Sequence, residues 1–176
     1  MVNQPGESII VDAALDGYSV IGLLKNVTQN RRLVDILNSQ DLTLELHAAE
    51  SRVDGAVSGL HYESLVLNKA GILYAMPRET SEQVRLRAFN RSGISLGSSQ
   101  GQVKRVSVGV LLPFCFITGT VTLQPGTNPD RLEIAILPRF FAMTDATITR
   151  SSASAPVADV VVVNRDRLVG LGRLTA

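Results

Sequence analysis

Cysteine occurs once in this chain of 176 residues, histidine twice and tryptophan not at all. Each scarcity excludes something. A single thiol, Cys115, makes no internal disulfide, and inside an apolar run it reads as a small buried hydrophobe rather than a reactive group. One Cys and two distant histidines, His47 and His61, cannot furnish a zinc site at the usual spacing, so no metal and no cofactor is expected. Five Phe and three Tyr are too few for the exposed stacking platform that single-stranded nucleic acid prefers, so a nucleic-acid partner is not expected. No apolar run reaches the roughly 18 residues that span a bilayer. The longest, from Val106 to Thr120, is interrupted by Ser107, Gly109 and Pro113, so no membrane association is expected. The first residues, MVNQPGES, lack the basic and apolar regions of a secretory signal, and the chain reads as cytoplasmic. The two glycosylation sequons, at Asn26 and Asn90, are then chance matches. G-x-S-x-G, H-E-x-x-H and G-x-G-x-x-G are all missing.

What is present is a pattern that occurs twice. Residues 65–73 read LVLNKAGIL and residues 161–169 read VVVNRDRLV: three apolar residues, Asn68 or Asn164, a basic residue, two spacers and two apolar residues. Upstream, Arg32-Leu33 and Arg131-Leu132 each follow a polar loop. Before each loop lies a β-like run with a small-residue step, at Gly22 and at Gly119. An offset of 97 aligns Ile9 with Val106, Val11 with Val108, Leu15 with Leu112 and Gly22 with Gly119. LTLELHAAE, residues 42–50, parallels FFAMTDAT, residues 140–147, with Asp145 set against His47. Shared order of this kind predicts a tandem duplication. Its copies are 1–80 and 104–176, joined by 81–103, a basic linker rich in Gly and Ser.

Most segments carry strand patterns. Leu42, Leu44 and Leu46 alternate with Thr43, Glu45 and His47, and Val106, Val108 and Val110 with Ser107 and Gly109. The four valines from Val160 to Val163 suit a strand covered on both faces. Lys69-Ala70-Gly71 and Arg165-Asp166-Arg167 read as tight connections. Arg31 to Ser39 sets Leu33, Ile36 and Leu37 on one helical face, with Asn30 as its cap. The second helix, Arg131 to Leu137, is stopped by Pro138. The expected fold is mainly β with one short helix per unit. Its two small barrel-like or sandwich-like units pack with pseudo-twofold symmetry.

The order R-L-x-D-x-L-N followed by V-N-[KR]-x-x-[IL] resembles β-rich bacterial domains of unknown function. Arg32, Leu33, Asp35, Leu37 and Asn38 carry its first part, and Asn68, Lys69 and Ile72 its last. The second copy keeps Arg131, Leu132, Asn164, Arg165 and Leu168. The resemblance implies a shared fold and brings no activity with it.

Charge is unevenly spread. Residues 1–82 carry a net −5, residues 83–129 a net +5 and residues 130–176 a net +1. Arg85, Arg87, Lys104 and Arg105 form the candidate anion-binding group in the basic stretch. The candidate repeat-signature residues are Gly22, Gly119, Arg32, Arg131, Asn68 and Asn164. The asparagines are expected to act on their own backbone, since Asn bonds locally and tolerates turns. His61-Tyr62-Glu63 is the only trio with acid–base potential, a thin basis for a hydrolase-like enzyme. The sequence therefore points to a non-enzymatic module that associates with itself or with a protein partner. A small-anion or nucleotide sensor is the alternative.

Overall fold

Alternating apolar and polar residues dictate strands, and the computed structural model is built almost wholly from them. It describes residues 7–28, 31–53, 59–78, 104–124, 126–132, 136, 138–150 and 157–174. The first half contains β1 (Glu7–Leu15), β2 (Tyr18–Val27), α1 (Leu33–Leu37), β3 (Thr43–Val53), β4 (Leu60–Asn68) and β5 (Tyr74–Arg78). The second contains β6 (Lys104–Leu112), β7 (Cys115–Leu123), β8 (Phe140–Arg150), β9 (Val157–Asn164) and β10 (Gly170–Arg173). Short 3₁₀ turns, Lys69–Gly71 and Arg165–Arg167, link β4 to β5 and β9 to β10. The 81–103 linker, the loop 151–156 and the cap residue Asn30 lie outside the described residues.

All ten strands belong to one antiparallel sheet, in the order β10-β6-β7-β8-β9-β5-β1-β2-β3-β4. The mainly β expectation holds. The expectation of two separate barrel-like or sandwich-like units gives way to a continuous open sheet. The physical reason is at its centre, where β5 and β9 pair and remove two edges that separate units would have left bare.

Two apolar clusters cover the sheet, and each borrows from the other half. Phe140 and Val162 of the second half sit in the cluster built by Val11, Leu37, Leu46 and Ile72. Ala14, Leu73 and Tyr74 of the first half sit in the cluster built by Val108, Ile117, Met143 and Ile148. This exchange explains the four valines. Val161 and Val163 face one cluster and Val162 the other, so β9 is apolar on both sides.

The two halves share a bulge at the same place, and the first half has a further register shift in β1–β2, between Glu7 and Ile9, where Asn26 takes a φ of 57°. Between Ile21 and Leu23 the β2–β3 register slips, and Ala48 takes a left-handed φ of 44°. Between Thr118 and Thr120 the β7–β8 register slips, and Asp145 takes a φ of 52°. Two residues then face one, and the inward pattern shifts phase. Leu44 and Leu46 are buried before the first bulge and Ala49 after it, while Met143 is buried before the second and Ala146 and Ile148 after it. Asp145 therefore stands opposite Ala48 in the comparison, not His47. Gly22 and Gly119 face the bulges because a side chain would not fit. A Cβ at Gly22 would lie 2.9 Å from Leu46 Cβ, and one at Gly119 would lie 3.0 Å from the Thr144 carbonyl.

Helix α1 is shorter than the expected 31–39. Arg32 caps it, and its backbone N–H and guanidinium both donate to the Asp35 carboxylate, at 3.3 and 2.9 Å. In the second half, Ile136 N–H donates to the Leu132 carbonyl at 3.0 Å. Residues 133–135 and 137 are outside the described set. Leu42 precedes β3 and is exposed, so that alternation begins one residue later than its sequence pattern.

Candidate functional site

Two features merit functional attention: the β5–β9 junction with the groove beside it, and the open edges of the sheet. At the junction Tyr74 faces Val163 and Ala75 faces Val162. Asn164 closes the end of β9. Its backbone N–H donates to Leu73 O at 3.0 Å, its Nδ2 to Ile72 O at 2.8 Å, and its Oδ1 accepts the Asp166 N–H at 3.0 Å. From the other side Asn38, just past α1, clamps the first residue of β8. Its Nδ2 donates to Phe140 O at 2.7 Å and its Oδ1 accepts Phe140 N–H at 2.9 Å. Arg150 completes the junction by donating to the Tyr74 hydroxyl while its guanidinium lies 5.8 Å from the ring centroid. Burial raises the Tyr74 phenol above its ordinary range, and the Arg150 hydrogen bond partly opposes that.

Asn68 repeats the local role of Asn164. Its Oδ1 accepts the Ala70 N–H at 2.9 Å and caps the first 3₁₀ turn. The basic residue after each asparagine reaches back toward the helical turn. Lys69 Nζ donates to Ile36 O at 2.8 Å and to Ser39 Oγ at 2.9 Å, and Arg165 donates to Ile136 O at 3.2 Å. Lys69 is nearly fully buried, and that desolvation lowers its pKa from the usual lysine value.

A groove of about 2140 Å³ runs past this junction, lined from both halves. It is wider than the roughly 300–1,000 Å³ of a small-ligand pocket. Arg105 lines it, with Arg32, Arg52, Arg78, Arg131 and Arg150. Several of these guanidiniums already hold carboxylates: Arg78 meets Asp12 at 2.7 Å, Arg32 meets Asp35 at 2.9 Å and Arg52 meets Glu50 at 2.6 Å. Arg32 holds the Asp35 carboxyl below the usual aspartate range, and Arg52 does the same for Glu50. Lys104 and Arg105 are exposed at the start of β6, opposite Leu123 and Thr122, and Lys104 does not line the groove. Arg85 and Arg87 lie outside the described residues. Of the two described members of that group, the structure brings Arg105 to the groove and leaves Lys104 off it. Arg131 lies just before the turn at Leu132, its N–H donating to Asn128 O at 3.2 Å.

The acid–base trio is placed on an edge. His61 and Glu63 are exposed on β4, and His61 faces Glu50 across the β3–β4 pair. Nearby, Ser64 Oγ donates to Glu45 Oε1 at 2.6 Å, and His47 Nε2 lies 3.7 Å from that same oxygen. The carboxylate thus stands between hydroxyl and imidazole, whereas a nucleophilic serine has its base directly beside it. Among the described residues no group of three or more His, Cys, Asp or Glu could hold a metal ion. No helix among them is long and apolar enough to cross a membrane.

Sequence reasoning missed the Asn38–Phe140 and Tyr74–Arg150 contacts. Both join residues far apart in the chain, and neither follows from local pattern. Compared with protein-family models, with curated proteins and with solved structures, the chain matches none of them.

Proposed function

We propose that this chain is a non-enzymatic interaction module of two tandem copies of one five-stranded unit, and that it works by associating with protein through its sheet edges. The duplication reading is supported by matched devices in the two halves: the bulges at Ala48 and Asp145, the glycines facing them, the capping asparagines and the bases reaching back to Ile36 and Ile136. The observation that carries the association reading is the pair of unpaired edges. Among the described residues β4 bonds only to β3, and β10 only to β6. Both edges present large apolar side chains to solvent, Leu60 and Val66 on β4 and Val169 beside β10. Unpaired backbone beside exposed apolar residues is a template for strand addition.

Light scattering after size exclusion, over a wide range of protein concentration and at low and high salt, tests this reading. Assembly should increase with concentration and persist in salt, because backbone pairing and apolar burial are screened little. A strictly monomeric protein at the highest concentration would refute self-association.

One observation favours the sensor reading: Arg105 lines a groove that also holds five other arginines. A thermal-shift panel of inorganic phosphate and nucleotides tests it. By mass action a true ligand at 100 times its Kd stabilises by about 2.7 kcal/mol, and the absence of any shift removes that reading.

A further inference from the structure

The junction inside the chain joins two unlike edges, and among the described residues the same two kinds of edge are open at the ends of the sheet. β9 is the strand before its 3₁₀ turn, and β5 is the strand after the other turn. The open edges are β4, the strand before a turn, and β10, the strand after one. We propose, building on the self-association reading above, that copies of this chain join head to tail. β4 of one chain adds antiparallel to β10 of the next and repeats between chains the β9–β5 pairing made within each chain.

The residues at matched positions support this occupant. Val162 of β9 is 1% exposed in the internal junction, and Val66, its match on β4, is 59% exposed. Leu73 ahead of β5 is 2% exposed, and Val169, its match ahead of β10, is 70% exposed. Asn164 is fully buried, while Asn68 is exposed with the same backbone conformation and the same cap bond. Apolar character is thus kept at positions that only a junction would cover. Transferring the internal register places Leu171 opposite the partner's Val66 and Gly170 opposite the partner's Leu67. The partner's Asn68 N–H then meets the Val169 carbonyl and its Nδ2 the Leu168 carbonyl, as Asn164 meets Leu73 and Ile72.

The contact between chains is weaker than the one within. Tyr74 and Arg150 are matched by Gly170 and Val53, which cannot form the hydroxyl–guanidinium contact. Asn38 is matched by Leu137 or Pro138, neither of which has an amide to clamp a neighbouring strand. The internal junction is therefore permanent, and the outer one forms and parts with concentration. Unlike edges make the contact heterologous, so it propagates as rings or filaments rather than stopping at a twofold dimer.

The test uses the full chain with Cys115→Ser, carrying either Val66→Cys or Leu171→Cys. Mixed and treated with a mild oxidant or a short bis-maleimide, the two variants should cross-link to each other, and neither should cross-link to itself. A chain carrying both substitutions should give a ladder or a closed ring. Val66→Lys, at an exposed position, should leave the melting temperature of the dilute monomer unchanged and weaken association by about tenfold or more, equivalent to about 1.4 kcal/mol. Assembly that persists without the mixed cross-link, or Val66→Cys linking to itself, overturns the head-to-tail arrangement and leaves self-association standing. A chain that never assembles overturns both.

Discussion

Asn164→Ala and Asn68→Ala make the same chemical change at two positions that differ in burial. In the folded chain Asn164 is fully buried, its Nδ2 donating to Ile72 O at 2.8 Å and its Oδ1 capping the Asp166 N–H. Loss of the cap costs about 1 kcal/mol. Leaving a buried carbonyl without its donor costs about 1–3 kcal/mol more. The expected destabilisation is therefore about 2–4 kcal/mol. At exposed Asn68 only the cap to Ala70 is lost, which costs about 0.5–1 kcal/mol. For a chain of this size each kcal/mol moves the melting temperature by about 2–4 °C. Asn164→Ala should then melt about 4–16 °C low and Asn68→Ala about 1–4 °C low. Urea unfolding at low protein concentration, with midpoint and m-value fitted together, measures the difference in the monomer. Two variants within about 0.5 kcal/mol of each other would refute the claim that the junction sets the value of the buried amide. Raising the protein concentration should then enlarge the Asn68 penalty, because a neighbouring chain covers that residue in a head-to-tail assembly.

The bulge geometry predicts that Gly22→Ala and Gly119→Ala each cost about 1–3 kcal/mol through overpacking. Gly172→Ala, whose added Cβ meets nothing within 4 Å, should be nearly neutral in the same unfolding assay. Asp35, held by Arg32 below the usual aspartate range, contributes stability that is present above the unfolded-state pKa and lost as pH falls through the lowered one. Asp35→Asn should therefore flatten the acid limb of stability against pH, by no more than about 1 kcal/mol because the pair is largely exposed. Grafting the internal clamp onto the open edges, with Gly170→Tyr, Leu111→Ala and Val53→Arg together, should tighten association by about tenfold, and Val53→Arg alone should not. Leu111→Ala is needed because Leu111 Cδ1 would lie 3.2 Å from a Cβ at position 170, whereas Tyr74 pairs with the small Ala14.

The strand content was legible because period-two alternation follows from the pleat itself, and β3 and β6 show it directly. The capping asparagines were legible because the role of Asn before a tight turn is local. The four valines announced a strand covered on both faces, although not that the two covers belong to different clusters. Other features turned on long-range partners. Nothing around Tyr74 or Arg150 in the sequence indicates that they meet. Pairing β5 with β9 required knowing that both edges were otherwise bare. The alignment of Asp145 with His47 failed by one residue, because a bulge residue belongs to neither face and breaks the alternation that guides such comparisons. At the groove the basic stretch read as one group, but backbone placement brings only Arg105 to it among the described residues.

The open sheet gives the two halves different obligations. The edge of β5 and the edge of β9 satisfy each other, and Tyr74, Arg150, Asn38 and Asn164 secure that contact. The edges of β4 and β10 stand at opposite ends of the strand order. Within one chain they could meet only if the sheet closed on itself, and it does not. Among the described residues no strand covers either edge, and in the proposed head-to-tail association a second copy of the chain supplies the complement. An edge built to remain alone would carry charge or proline pointing outward. Glu63 on β4 and Arg173 on β10 carry such charge, yet Val66 and Val169 are exposed beside them, at the positions whose matches, Val162 and Leu73, are buried. The outer positions lack the polar clamps of the β5–β9 contact and keep apolar residues. In the proposed head-to-tail association that combination would make a reversible joint, held by backbone pairing and apolar burial without the polar clamps that fix the internal one.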